Sequence, residues 1–174
     1  MDVLTEKAEN SGLLTILQWP DPVLFKKSEP VNSVTGDIRS LADRMAQTML
    51  AAPGLGLAAP QVGVSKRLIV VVSPEDGAKP FAMVNPEILE TGEAVMDEEG
   101  CLSMPEIYAY VERPEWIIAR YTDINGDTQT VRAEDIMARC IAHEIDHLNG
   151  VLFWDHLGFM KRDWLKRKFK KMSR

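Results

Sequence analysis

The chain is expected to fold as an α+β domain, with mostly antiparallel β-sheets packed around a central helix carrying His143-Glu144-Ile145-Asp146-His147. An amphipathic helix should precede the sheets and a basic helix should follow them. Three observations predict this class: short β-prone runs crowd the middle of the sequence, apolar residues recur at helical spacing on both sides of them, and the connections between runs are short.

In chain order, residues 1–12 form a polar extension. Thr15, Ile16 and Leu17 begin an extended entry segment that turns at Trp19-Pro20-Asp21-Pro22. Ile38, Leu41, Ala42, Met45 and Met49 share one helical face, which predicts a helix over 37–52 closed by Pro53-Gly54. Strands are predicted at 68–72, 81–84, 93–96, 108–111, 116–121 and 128–132, with Asn125-Gly126 as a hairpin turn. Glu134 and Asp135 suit the positive start of the next helix, Ile136, Met137, Ile141 and Ile145 supply its apolar positions, and Gly150 suits its stop.

At 174 residues and 45% hydrophobic, the chain can bury one core, so residues 13–174 are expected to form a single domain with 161–174 as its basic terminal helix. No apolar run approaches the roughly 20 residues of a membrane span. The acidic start lacks the basic and greasy regions of a signal peptide, so a cytoplasmic location is expected. Net charge is −6, yet 161–174 holds eight Lys or Arg against one Asp, leaving −13 on the rest. That tail reads either as a solvated helix packing Phe159, Trp164, Leu165 and Phe169 on the body, or as a hook for an anionic surface such as ribosomal RNA, without base-sequence recognition.

His143 and His147 are four residues apart, so on a helix they look out of one face within reach of one ion. Glu144 sits about 100° around, beside such an ion, where a general base belongs. Two imidazoles do not complete a catalytic metal site, which usually takes three protein ligands. No Glu follows Glu144, and the last position of His-Glu-x-x-His-x-x-Gly-x-x-His is Phe153, so neither large protease pattern is completed. Cys140 is too far along the helix, about 10.5 Å below His147, to share an ion with both histidines. His156 is a weaker candidate beyond a turn, while Cys101, preceded by Gly100, is open as a ligand or a buried structural thiol.

In three places the sequence resembles the peptide deformylase family: Gly54-Leu55-Gly56-Leu57-Ala58-Ala59-Pro60-Gln61, Glu99-Gly100-Cys101-Leu102-Ser103, and His143-Glu144-Ile145-Asp146-His147, in that order. The resemblance spans about residues 13–168 and implies removal of the formyl group from the initiator methionine of new chains, releasing formate. It implies Cys101, His143 and His147 as ligands of one divalent ion, natively iron(II), with zinc, nickel or cobalt possible after purification. Hydrolysing a formyl amide takes an activated water, a polarised carbonyl and a proton for the departing nitrogen. Glu144 would carry the proton, and the Gln61 side chain and Leu102 backbone N–H would face the developing oxyanion. Ile136 and Cys140, on nearly the same helical face as His143, would wall the methionine slot with Leu55, Gly56 and Leu102. Glu99, expected to pair with Arg113, and Asp146 would orient the ligands. The chain departs from many bacterial relatives at Tyr108, where they carry Arg, and at Ala142, where they commonly carry Gln. An endopeptidase of the same helix type and a noncatalytic ribosome-binding relative are the competing readings.

Overall fold

A computed structural model describes residues 12–173, so the extension expected over 1–12 lies outside the described residues apart from Gly12. The entry segment forms no strand; instead Leu17 N donates to Gln61 O at 2.7 Å and Trp19 N to Ser103 O at 3.0 Å, tying two later loops together. Asp21 then caps a 3-10 turn at Pro22–Phe25 by accepting from Val23 N at 3.0 Å. Helix α1 runs Gly36–Ala51, starts at the Thr35 cap, and buries Ala42, Met45 and Met49.

The sheets are built from seven strands: β1 (Gly56–Ala58), β2 (Leu68–Val71), β3 (Phe81–Thr91), β4 (Ala94–Cys101), β5 (Met104–Pro114), β6 (Trp116–Thr122) and β7 (Thr128–Glu134). They pair antiparallel throughout, as a five-stranded sheet in the order β1-β2-β3-β6-β7 and a separate β4-β5 ribbon. β1 was not expected, because three residues inside a glycine-rich run carry no period. Its place comes from pairing Gly56 with Val71 and Ala58 with Ile69. β3, β4 and β5 extend well past the runs predicted for them. Their added residues include exposed acids such as Glu87, Asp97 and Glu98, which have poor intrinsic strand preference but are held by cross-strand pairing.

Helix α2 (Asp135–Leu148) lies between the two sheets. Ala138, Ile141, Ile145 and Leu148 pack on Ala58, Ile69, Val71, Met83 and Ile117 of the large sheet. The ribbon builds its own core from Met104, Ile107, Ala109 and Val111 against Leu152, Phe153, Trp154 and helix α3 (Phe159–Met172). Gly150, just past α2, has φ +72°, the left-handed backbone that ends a helix. Among the described residues no helix is long and apolar enough to cross a membrane.

The packing expected of the basic tail is half right. Leu165 and Phe169, four residues apart on one face, are buried, while Phe159 is 73% and Trp164 56% exposed. Leu165→Ala should therefore cost about 3 kcal/mol in urea unfolding, and Trp164→Ala no more than about 0.5. Equal losses from the two substitutions would contradict this docking of α3.

Candidate active site

The α2 face turned toward the ribbon presents His143, Glu144 and His147, all buried. Opposite them β4 ends at Cys101, where the ribbon turns through Leu102 and Ser103 into β5. Cys101 Sγ lies 3.3 Å from His147 Nε2, which lies 3.2 Å from His143 Nε2, and one donor atom from each of the three residues falls within 4.8 Å of the others. A tetrahedral cation with bonds of about 2.0–2.3 Å holds its ligand atoms roughly 3.3–3.7 Å apart, so this donor set fits one. Cys140 and His156 stand outside the cluster.

Charge around the ligands favours the same use. Burial, then the charges of His143 and Arg113, push His147 well below the ordinary histidine range, leaving it neutral and fit to ligate. Burial opposes protonation of His143, but bonds to Cys101 and Glu99 outweigh it and hold its pKa well above ordinary. A proton on Nε2, facing Cys101 and His147, is what a cation would replace there. His143 Nδ1 is occupied by Glu99 Oε1, which fixes the ring.

Glu99 gathers more. Arg113 donates to it from Nε at 3.1 Å and Nη2 at 2.7 Å, and Arg139 from Nη1 at 3.2 Å. Burial would raise this carboxyl, yet hydrogen bonds from His143 and Arg113 pull it well below the usual carboxylate range. Arg113 Nη1 also donates to Asp146 Oδ2 at 2.5 Å, and Asp146 pairs with His156 Nε2 at 2.7 Å. Asp146 therefore reaches the ligands only through Arg113, and His156 is engaged in that outer pair. Arg139 was missed by the sequence reading. Its signal was its position four residues before His143 on the same helical face, and its guanidinium also bonds Val111 O at 2.8 Å and Val95 O at 3.0 Å.

On the other side of the ligands Gln61 is 1% exposed. Its Oε1 accepts from Ala58 N at 2.9 Å, which leaves Nε2 to donate to Ser103 Oγ at 3.1 Å and to point at Cys101 Sγ, 3.6 Å away. Ser103, fully buried and also unforeseen, thus sets the direction of the amide. Glu144 has one carboxylate oxygen, Oε2, without a hydrogen-bond partner among the described residues. Burial raises its pKa to about 7. Gly56 makes this approach possible, because a Cβ there would stand 2.5 Å from Glu144 Oε1 and 2.8 Å from Cys140 Sγ. A cleft of about 530 Å³ opens over these groups, and Leu55, Gly56, Leu102, Ile136 and Cys140 line it. Burial raises the Cys140 thiol well above its ordinary value, so it stays protonated as a wall residue.

Known proteins resemble this chain in both sequence and backbone. The polypeptide deformylase family model matches residues 13–163. A peptide deformylase of Mesorhizobium japonicum is 49% identical over 158 residues, covering 89% of this chain and 90% of that protein. A crystal structure of peptide deformylase from Ehrlichia chaffeensis in complex with actinonin superposes with a TM-score of 0.89 at 44% identity, over 93% of this chain and 98% of the other. Another from Legionella pneumophila gives a TM-score of 0.88 at 40% identity, over 92% and 95%. Sequence and backbone agree over nearly the whole described length, and the chain belongs to the polypeptide deformylase family.

Proposed function

We propose that this chain, as one catalytic domain over residues 13–174, hydrolyses the N-formyl group of formylmethionine on newly made peptides and releases formate. The observation that carries the reading is the convergence of Cys101 Sγ and two imidazole nitrogens beside a buried carboxylate with a free oxygen, at the floor of an open cleft. When bound by Cys101, His143 and His147, a divalent cation would supply a water of lowered pKa and an electrophile for the formyl oxygen. Iron(II) is the proposed resident, and zinc, nickel or cobalt suit the same donors. The place of work is the cytoplasm, where nascent chains emerge.

The chain's own groups divide the remaining work. Glu144 Oε2, buried and without another hydrogen-bond partner among the described residues, takes a proton from the attacking water and returns it to the leaving nitrogen. Gln61 Nε2, aimed past Ser103 toward Cys101, donates to the oxygen that gains charge, together with the Leu102 N–H. Leu55, Gly56, Ile136 and Cys140 receive the methionine side chain, which gains about 1.5–3 kcal/mol by burial. Glu99, Arg113 and Asp146 keep His143 oriented.

An anaerobic assay of formate from formyl-Met-Ala, with metal measured on the same sample, should show activity and about one divalent ion per chain. Glu144→Gln should keep the ion and lose activity by about 10²–10⁴-fold, and a near-normal rate would contradict the proton role. Cys101→Ala that retained both metal and activity would point instead to an endopeptidase.

Stability of the metal-free protein should report Glu144 as well. Its folded pKa of about 7 exceeds the ordinary 4.5, so its burial is tolerated fully below 4.5 and penalised increasingly as pH rises through 7. Glu144→Gln should raise metal-free stability by about 2–3 kcal/mol at pH 8 and hardly at pH 4, measured by urea unfolding. The same gain at both pH values would refute this.

The basic α3 is proposed to hold the enzyme at the ribosome through phosphate charge. Truncation at 161 would remove Leu165 and Phe169 from the core, so the cleaner change is Lys161, Lys168 and Lys171→Glu on its exposed side. Co-sedimentation with ribosomes should weaken while formyl-Met-Ala is still hydrolysed. Unchanged binding would reject the tether.

A further inference from the structure

Of the three histidines, His156 is the one that the metal reading leaves unused. It closes the 3-10 turn Phe153–His156 that joins α2 to α3. The turn is firmly set, because Phe153 and Trp154 are buried in the ribbon core and Asp155 Oδ2 accepts from Leu152 N at 2.9 Å. A ring carried on such a turn has little freedom at its root. The His156 side chain is 37% exposed, yet its Nε2 lies 2.7 Å from Asp146 Oδ2.

Two donors meet on that oxygen. Arg113 Nη1 reaches Asp146 Oδ2 at 2.5 Å and stands 3.4 Å from His156 Nε2. A guanidinium can only donate, and a ring lone pair aimed at a carboxylate would repel it, so Nε2 carries a proton and donates to Asp146 beside Arg113. Among the described residues these are the two hydrogen-bond partners of the Asp146 carboxylate. From there the bonds run inward without a break: Arg113 Nε and Nη2 hold Glu99, and Glu99 Oε1 holds His143 Nδ1. Side-chain exposure falls along the same path, from 37% at His156 through 21% at Asp146 to 4% at Arg113. His156 is thus the solvent-side end of a chain whose other end is a metal ligand. A guanidinium forked onto Glu99 can still swing at its third corner, and Asp146 pins that corner. Without His156 the pinning carboxylate would be held by Arg113 alone and opened to water, which competes for both.

We propose that His156 is a positioning residue for the metal centre: its Nε2–H fixes Asp146, which sets Arg113 and Glu99 and through them the His143 imidazole. The inference rests on the reading of Cys101, His143 and His147 as ligands of one ion. Polar partners behind a ligating imidazole change its affinity for the ion by about ten- to a hundredfold, and a residue at the far end of the chain belongs at the low end of that range.

The test measures the zinc affinity of the full chain, by competition with a chelator, for wild type, His156→Phe and His156→Gln, and again for Asp146→Ala with and without His156→Phe. Phenylalanine keeps the ring and removes the donor, whereas the glutamine amide restores an N–H at the reach of Nε2. His156→Phe should bind zinc about tenfold more weakly, and His156→Gln should return to within about threefold of wild type. In the Asp146→Ala background the phenylalanine substitution should change the affinity by less than about twofold, because the two residues act as one unit. Wild-type affinity in His156→Phe, a glutamine variant as weak as the phenylalanine variant, or the same tenfold loss without Asp146 each overturns the proposal. A wild type that holds no zinc would instead overturn the metal reading, and this inference with it.

Discussion

The Glu99 carboxylate is the constraint on which the site depends. It stands on β4 two residues before Cys101 and bonds Arg113 on β5 together with Arg139 and His143 on α2. A buried carboxylate is tolerable only when its lone pairs are filled, and here three cationic or polar partners fill them. The same bonds lock the ribbon to the helix, so the thiol from one and the imidazoles from the other meet in a set geometry. Without Glu99 the Arg139 guanidinium would lose its carboxylate, Arg113 would be left with Asp146 alone and His143 would lose its fixed Nδ1 bond, so support and chemistry are one network.

The position of α2 follows from one apolar and one polar side, each with its own sheet to meet. One side of the helix closes the five-stranded sheet with Ala138, Ile141, Ile145 and Leu148. The side toward the ribbon is polar: His143 and Arg139 bond Glu99 there and His147 Nε2 meets Cys101 Sγ, while Glu144 Oε2 is left without a partner among the described residues. The seam is therefore where water can be largely excluded around titratable groups, and the raised Glu144 and lowered His147 are consequences of that burial. The entry segment adds a clasp, since Leu17 and Trp19 bond the backbones of Gln61 and Ser103, the two residues whose side chains meet beside Cys101.

Some of this was legible before any coordinates. The four-residue spacing of His143 and His147 and the exclusion of Cys140 are matters of helical rise, which is local and universal. The Glu99–Arg113 pairing was readable because both residues flank one turn of a short-range ribbon. Arg139's place one turn before His143 marked its helix face but not the carboxylate it meets, and Ser103, a serine in a loop, carried no mark of burial. The exposure of Phe159 and Trp164 was hidden for the converse reason: an aromatic residue does not say which side of its helix is free.

By itself the sequence determined the features that short-range geometry sets: the periods of the helices, the alternation of strands, the shared face of the two histidines and the segregation of charge into the tail. Only the tertiary structure decided which thiol meets them, how Glu99 reaches three partners, where Gln61 points and which residues form the cleft mouth. Those answers depend on segments some 40 residues apart being brought within a few ångströms, and chain connectivity does not encode such distances; they arise when two sheets close on one helix and every buried charge must find its partner.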